Sequence, residues 1–250
     1  YATLDRLATT VIPVLLLGET GTGKEVVART LHERSPRSGR PLICVNCAAI
    51  PDQLIESTLF GHERGAFTGA DRKATGVFES ANGGTVMLDE VGELPAQAQA
   101  ALLRVLETRR FSRVGANKEI EVDVRVVAAT VRDLEKRVAE DAFREDLFYR
   151  LNVLTIQMPS LRDRRVDVPL LAEHFLEQFN ERLGTHIRGF DAAAMKMLVQ
   201  YGWPGNVREL ENTIERAIVL ADGEEITVDD LSPKIRASQD KIRSTLAGGE

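Results

Sequence analysis

The stretch VLLLGETGTGK, Val14 to Lys24, constrains the fold of this chain more than any other. A short apolar run predicts a buried strand, and the helical pattern EVVARTLHER begins as soon as the run of glycines ends. Glycines at Gly18, Gly21 and Gly23 let successive backbone N–H groups turn toward one anion. The following helix N-terminus adds its dipole, and Lys24 adds a point charge. Gly18, Glu19, Thr20, Gly21, Thr22, Gly23 and Lys24 are therefore the candidate phosphate loop. Glu25 stands where such loops usually carry Ser or Thr for magnesium, so the metal must lean on another ligand.

Further apolar runs alternate with helical patterns: LICVN at 42–46, TVMLD at 85–89, VRVVAAT at 124–130 and VLTIQM at 153–158. Near-continuous apolar runs of this length suit parallel strands covered by helices on both faces, an α/β architecture. The run TVMLDE delivers Asp89 and Glu90 to the carboxyl end of its strand, where open parallel sheets bind ligands. Asp89 can hold Mg²⁺ directly or through water, and Glu90 can polarise an attacking water. Paired acids after a strand also occur as solvated turn residues, and the upstream phosphate loop favours function.

From Val166 the pattern becomes helical. Val168, Leu171, Ala172, Phe175, Phe179 and Leu183 share one face, with Asp167 predicted as cap and Pro169 in the first turn. A second helix is expected after Asp191. A third opens at Asn206 with Glu209 as a capping box, shows an apolar face of Val207, Leu210, Ile214, Ala217, Ile218 and Ala221, and is predicted to stop at Gly223. The expected division is 1–164 α/β domain, 165–232 helical domain and 233–250 polar linker. Tyr1 to Thr10 reads as part of a helix before the first strand.

A formal net charge of -6 argues against a broad nucleic-acid surface, which needs a dominant basic field. No apolar run near the start is long enough for a signal peptide or a membrane span, so a cytoplasmic protein is expected. Cys44 and Cys47 form a C-x-x-C on an apolar run with no partner pair, and read as structural.

GETGTGKE, GAFTGA, GGTVMLDE, FREDLFYRL and WPGNVRELEN occur in that order. Together they resemble the central AAA+ ATPase domain of bacterial sigma-54-dependent transcriptional activators, the enhancer-binding proteins of the NtrC type. The likeness covers nearly the whole chain, and GAFTGA is specific to that family. It implies a P-loop AAA+ three-layer α/β/α domain followed by an all-α lid, ATP and ADP with Mg²⁺ as ligands, hydrolysis, and self-association into a ring, most commonly a hexamer. Glu25 matches the family's own phosphate loop.

Other residues take roles from the resemblance. Asn46 matches a switch residue that pairs with the catalytic glutamate, here Glu90; from its position alone it reads as a strand-end Asn bonding the backbone. Arg144 and Arg150 match arginine fingers that reach a neighbouring subunit's nucleotide; alone they read as surface groups of a charged helix. Thr130 matches a sensor on the sheet and Arg208 one on the lid. Val131 departs from the family, which commonly has a polar residue there, and a valine side chain cannot donate a hydrogen bond.

Gly65, Ala66, Phe67, Thr68, Gly69 and Ala70 match the loop that grips sigma-54 in the closed RNA polymerase complex. A loop this rich in glycine is not expected to hold its own shape. Phe67 then reads as an offered handle, forgoing about 1.5–3 kcal/mol of burial that a partner surface restores, against the alternative of a ring packed under its own turn. DNA binding is expected only through a domain outside this segment. The competing function is a nucleotide-gated scaffold without productive hydrolysis, for which Val131 speaks; a generic AAA+ remodeller or clamp loader does not require GAFTGA.

Overall fold

A computed structural model describes residues 7–237. The chain divides into two compact units: Lys24–Met158 with the residues up to Gly18, and the chain from Pro159 with Glu19–Gly23. Residues 1–6, and 238–250 of the predicted linker, lie outside the described residues. Within 233–237 a helical turn is present, with the Ile235 N–H donating to the Ser232 carbonyl at 2.9 Å.

The first unit is built on β1 (Val14–Leu17), β2 (Leu42–Asn46), β3 (Thr85–Asp89), β4 (Arg125–Thr130) and β5 (Thr155–Gln157), in the spatial order β2-β3-β4-β1-β5. All neighbours are parallel. Successive side chains of a strand face opposite sides. Leu15, Val86, Leu88, Val126 and Ala128 accordingly enter one core, while Val14, Leu16, Met87, Val127 and Ala129 enter another. Helix α1 (Lys24–Glu33) covers the second core with Ala28 and Leu31. Helices α2 (Asp52–Phe60), α3 (Ala96–Thr108) and α4 (Glu145–Leu151) cover the first with Leu59, Leu102 and Leu147. Each such buried Leu contributes about 1.5–3 kcal/mol, so both faces of the sheet are occupied and the layers number three.

Three boundaries of the predicted strands match residue for residue; the run at 124–130 starts one residue later, and 153–158 contracts to Thr155–Gln157 on an edge. The later start leaves Arg125 at the head of β4. Its side chain is buried, 1% exposed, and donates to the carbonyls of Leu7 at 2.8 Å and Ala8 at 3.0 Å. It meets no carboxylate among the described residues, and burial pulls its pKa down.

Two short hairpins project from this unit. Gly61–His62 pairs antiparallel with Ala74–Thr75, enclosing the GAFTGA segment, and Arg110–Ser112 pairs with Glu119–Glu121.

In the second unit a 3-10 segment, Leu161–Asp167, runs directly into α5 (Val168–Leu183), followed by α6 (Ala192–Gln200) and α7 (Asn206–Leu220). Trp203 is fully buried at the centre of their core, its Nε1 donating to the Leu198 carbonyl at 2.8 Å. Leu210, Ile214, Ala217 and Ile218 form the buried face of α7, as predicted. Asp191 caps α6 through the Ala194 N–H.

Three local expectations fail. Asp167 makes no side-chain cap, because the preceding 3-10 turn already supplies the helix start. The capping box at Asn206 is absent: the helix is capped one residue earlier, at Gly205, whose N–H donates to the Glu209 carboxylate at 2.8 Å, and the Asn206 side chain is engaged elsewhere. Helix α7 ends at the extended Ala221, before Gly223.

Candidate functional site

Parallel register brings the carboxyl ends of the strands level. Asn46 lies opposite Asp89 across β2 and β3, and Leu17 opposite Thr130 across β1 and β4. At this end Lys24, 7% exposed, opens α1, and its Nζ donates to the Gly18 carbonyl at 2.8 Å. Gly23 is left-handed at φ 98, and a Cβ built there would touch no protein atom within 4 Å. The loop thus needs glycine for its backbone, with open space beside it, as a phosphate cradle requires.

Glu90, just past β3, has φ 53 and ψ 47. A left-handed non-glycine residue costs about 1–2 kcal/mol, and such strain gathers at functional sites. The turn sends its carboxylate toward β4, where Oε2 accepts from the Thr130 hydroxyl at 3.4 Å and the Val131 N–H at 3.2 Å. The valine therefore contributes through its backbone what its side chain lacks. Asp89 is half-buried, and its Oδ1 accepts the Glu90 N–H at 3.1 Å.

The structure does not bring Asn46 to Glu90. The Asn46 Oδ1 accepts from the Ala48 N–H at 3.0 Å, capping the short turn Cys47–Ala49, which is the strand-end reading of that residue. Glu25 is taken by Arg29, at 2.7 Å, one helical turn on. Asp89, at the carboxyl end of β3, lies on the same edge of the sheet as Lys24. Among the described residues no cluster of His, Cys, Asp and Glu could hold a metal alone. Cys44 and Cys47 are free thiols, and burial pushes Cys47 up to about 12, in keeping with a structural role.

Arg144 and Arg150 are exposed on α4. Arg144 is paired with Asp146, which raises the pKa of its guanidinium, and Arg150 donates to the Leu106 carbonyl at 2.9 Å. Within one chain neither meets Lys24, Asp89 or Glu90.

In the second unit, Glu19–Gly23 forms an arch against the lid. The N–H groups of Val207 and Arg208 donate to the Gly21 carbonyl at 2.9 and 3.4 Å. Gly21 is left-handed at φ 79, and a Cβ there would collide with the Gly205 carbonyl oxygen. A cavity of about 630 Å³ beside the arch is lined by Thr20, Gly205, Arg208 and Arg216, among others, so Arg208 does reach the loop's own unit. Arg162 and Arg164, which carry no role in the sequence analysis, also hold the arch, together with the Asn206 side chain, expected there only as a helix cap. Their signal was the pair of arginines flanking Asp163 in LRDRR, directly ahead of the lid helices.

The segment Gly65–Ala70 does hold its own shape. The Gly65 N–H donates to the Ala70 carbonyl at 2.8 Å, and the Ala70 N–H to the Phe67 carbonyl at 3.0 Å. Gly65 at φ 82 and Gly69 at φ 97 permit the closure. Phe67 is half-buried, its ring edge-on to His62 with centroids 4.9 Å apart. It leans on its own hairpin without entering the core, so each of the two readings of this ring describes part of it. At the base, Glu63 accepts from Arg113 at 2.9 Å and pairs with Lys73 at 3.2 Å, cations that hold its carboxyl below the usual range. Arg113 also grips Glu79.

Residues 1–157 match the Sigma-54 interaction domain, and residues 162–247 match the AAA+ ATPase lid domain. The chain is 55% identical over 225 residues to the transcriptional regulatory protein ZraR of Salmonella typhimurium, covering 90% of this chain and 51% of that protein. It is 53% identical over 231 residues to the regulatory protein AtoC of Escherichia coli, covering 92% of this chain and 50% of that protein. The structure of NtrX from Brucella abortus in complex with ADP superimposes with a TM-score of 0.88 at 40% identity, over 94% of this chain and 53% of that one. The ATP complex gives 0.89 at 39% identity, over 95% and 52%. The chain spans about half the length of the curated relatives it matches. Among the described residues no helix is long and apolar enough to cross a membrane.

Proposed function

Because this chain belongs to the Sigma-54 interaction domain family, with an AAA+ fold and a helical lid, we propose that it is the ATP-hydrolysing ring module of a bacterial transcriptional activator. Its work is to remodel closed complexes of sigma-54 RNA polymerase through the Gly65–Ala70 loop. The observation that carries this reading is the pairing of a strained, aimed Glu90 with a self-closed loop that keeps a large apolar ring half in solvent.

In this reading Lys24 and the amides of Gly21 to Gly23 bind the β- and γ-phosphates; the related NtrX has been solved with ATP and with ADP. Glu90 leaves Thr130 and Val131 to orient the attacking water and take its proton. Asp89 holds Mg²⁺, which when bound neutralises charge on the phosphate oxygens. Arg144 and Arg150 exchange Asp146 and Leu106 for the phosphates bound by an adjacent copy, which requires a ring. Arg208 reports the bound phosphate to the lid. Phe67 meets sigma-54, and recovers on that surface the burial it forgoes. The action is on cytoplasmic machinery, and DNA recognition belongs to parts of the protein beyond this segment.

Two measurements test the reading. Glu90→Ala should lower phosphate release by about 10²–10⁴ while ATP stays bound; undiminished release removes Glu90 from its role. Phe67→Ala should spare hydrolysis and abolish open-complex formation, and intact promoter opening refutes the grip. A scaffold that binds ATP without turnover is the second reading, favoured by the hold of Thr130 and Val131 on Glu90. Absence of phosphate release from the assembled protein would select it.

A further inference from the structure

Three consecutive carbonyls of the phosphate arch are held by lid residues. Asn206 donates from Nδ2 to the Thr20 carbonyl at 3.0 Å, the Val207 N–H donates to Gly21 at 2.9 Å, and Arg164 donates to Thr22 at 2.9 Å. In a planar trans peptide the C=O and N–H of one unit point in opposite directions. Drawing those carbonyls toward the lid therefore turns the N–H groups of Gly21, Thr22 and Gly23 away from it. These are the amides that a phosphate chain would need.

Asn206 does more than its neighbours in this arrangement. Nδ2 also donates to Glu19 Oε2 at 3.0 Å, while Oδ1 accepts the Leu161 N–H at 2.8 Å, so one side chain joins the lid's entry, the start of α7 and the arch. It is wholly buried, and its own backbone is left-handed at φ 53. Asn tolerates that conformation better than most residues, yet it still carries a cost that the surrounding contacts must offset. Glu19, the acceptor, is gripped from its other side by both Nη atoms of Arg162. Arg162 first, and Asn206 second, push the Glu19 carboxyl down to about 2, so at neutral pH it is charged and can only accept.

We infer that Asn206 is a positioning residue for nucleotide binding: by tying the Glu19 carboxylate and the Thr20 carbonyl to the lid, it sets the direction of the phosphate-binding amides. The inference rests on the nucleotide reading above and adds to it a residue that touches no phosphate. It also makes the lid part of the cradle's construction.

The test uses the whole chain and a fluorescent ATP analogue, with Kd measured for the unaltered protein, Asn206→Ala, Asn206→Asp, Glu19→Gln and the double variant Asn206→Asp/Glu19→Gln. Asn206→Ala removes three hydrogen bonds and should raise Kd about tenfold or more. Asn206→Asp sets carboxylate against carboxylate and should bind more weakly still. In the double variant the amide introduced at position 19 can donate to the carboxylate introduced at position 206, reversing the polarity of that contact, so binding should recover part of the loss while the Thr20 contact stays broken. KM for ATP should follow Kd, with kcat within about twofold. Kd values for both single Asn206 variants within twofold of the unaltered chain overturn the inference, as does a double variant no better than Asn206→Asp. The charge swap keeps the test decisive if the alanine variant folds poorly. Failure of the unaltered chain to bind the analogue at all is a different result, and it overturns the nucleotide reading itself.

Discussion

Gly18–Lys24 and Gly65–Ala70 are both short loops punctuated by left-handed glycines, and they are supported in different ways. The phosphate arch draws on residues far along the chain: Arg162, Arg164, Asn206 and Val207 all donate to it. The second loop closes on itself through Gly65 and Ala70, while the Arg113–Gly115 segment bonds its base at Gly61 and Glu63 and lies close against Ala66. A loop held along its length is fixed in shape by its holders. One closed by its own hydrogen bonds keeps its shape with fewer donors from outside. Glycine content says nothing of this difference, which lies in where the carbonyls find their donors.

The sharpest way to break the comparison is the same substitution in each loop. Gly21→Ala drives a methyl into the Gly205 carbonyl as well as straining φ, and should abolish ATP binding in a Kd titration and lower the melting temperature by several degrees. Gly65→Ala meets open space. It should lose only the conformational cost, about 1–2 kcal/mol or a fall of a few degrees in melting temperature, with ATP affinity unchanged. Equal loss of ATP binding in both would erase the distinction.

Phe67→Ala sharpens it further. Only a half-buried contact with His62 is lost, so stability should fall by about 1 kcal/mol in a denaturant titration. A loss of several kcal/mol would mean that the ring is a core residue after all.

The smallest effect is a pH dependence. Glu19 has its folded pKa depressed from 4.5 to about 2. Its stabilising contribution is therefore fully present above pH 4.5 and lost as pH falls from there toward 2. The difference in melting temperature between the unaltered chain and Glu19→Gln should shrink over that window, modestly, because the pair with Arg162 is part-exposed and screened. A difference that holds constant down to about pH 2.5 would remove Glu19 as the titrating group.

The sheet was legible because its strands are short apolar runs with sharp ends, Pro41 and Asn46 for LICVN and Gly84 and Asp89 for TVMLD, so these map directly onto β2 and β3. The lid helices were legible for the same reason, through the spacing of residues such as Leu210, Ile214 and Ala217. The misread features have other causes, and for Asn206 it is competition for a polar side chain by partners remote in sequence. Asn206 looked like a helix cap and is occupied by Glu19, Thr20 and Leu161. Asn46, which the resemblance pairs with Glu90, instead accepts from the Ala48 N–H two residues on, as its strand-end position alone predicts. Val131 looked inert because its side chain was weighed and its N–H was not. For Phe67, nothing in the pattern of GAFTGA singles out His62, which lies before the motif on the supporting strand.

Arg125 bears on how far the folded module extends upstream of its first strand. A guanidinium wholly inside the molecule, answered among the described residues only by oxygens of the peptide chain, makes Leu7 and Ala8 part of its electrostatic interior. Trimming back to the first strand would leave this buried cation with the Leu31 carbonyl at 3.5 Å as its remaining acceptor, a heavier penalty than the few apolar contacts removed. For anyone cutting out this module, the edge is set by charge, upstream of the sheet.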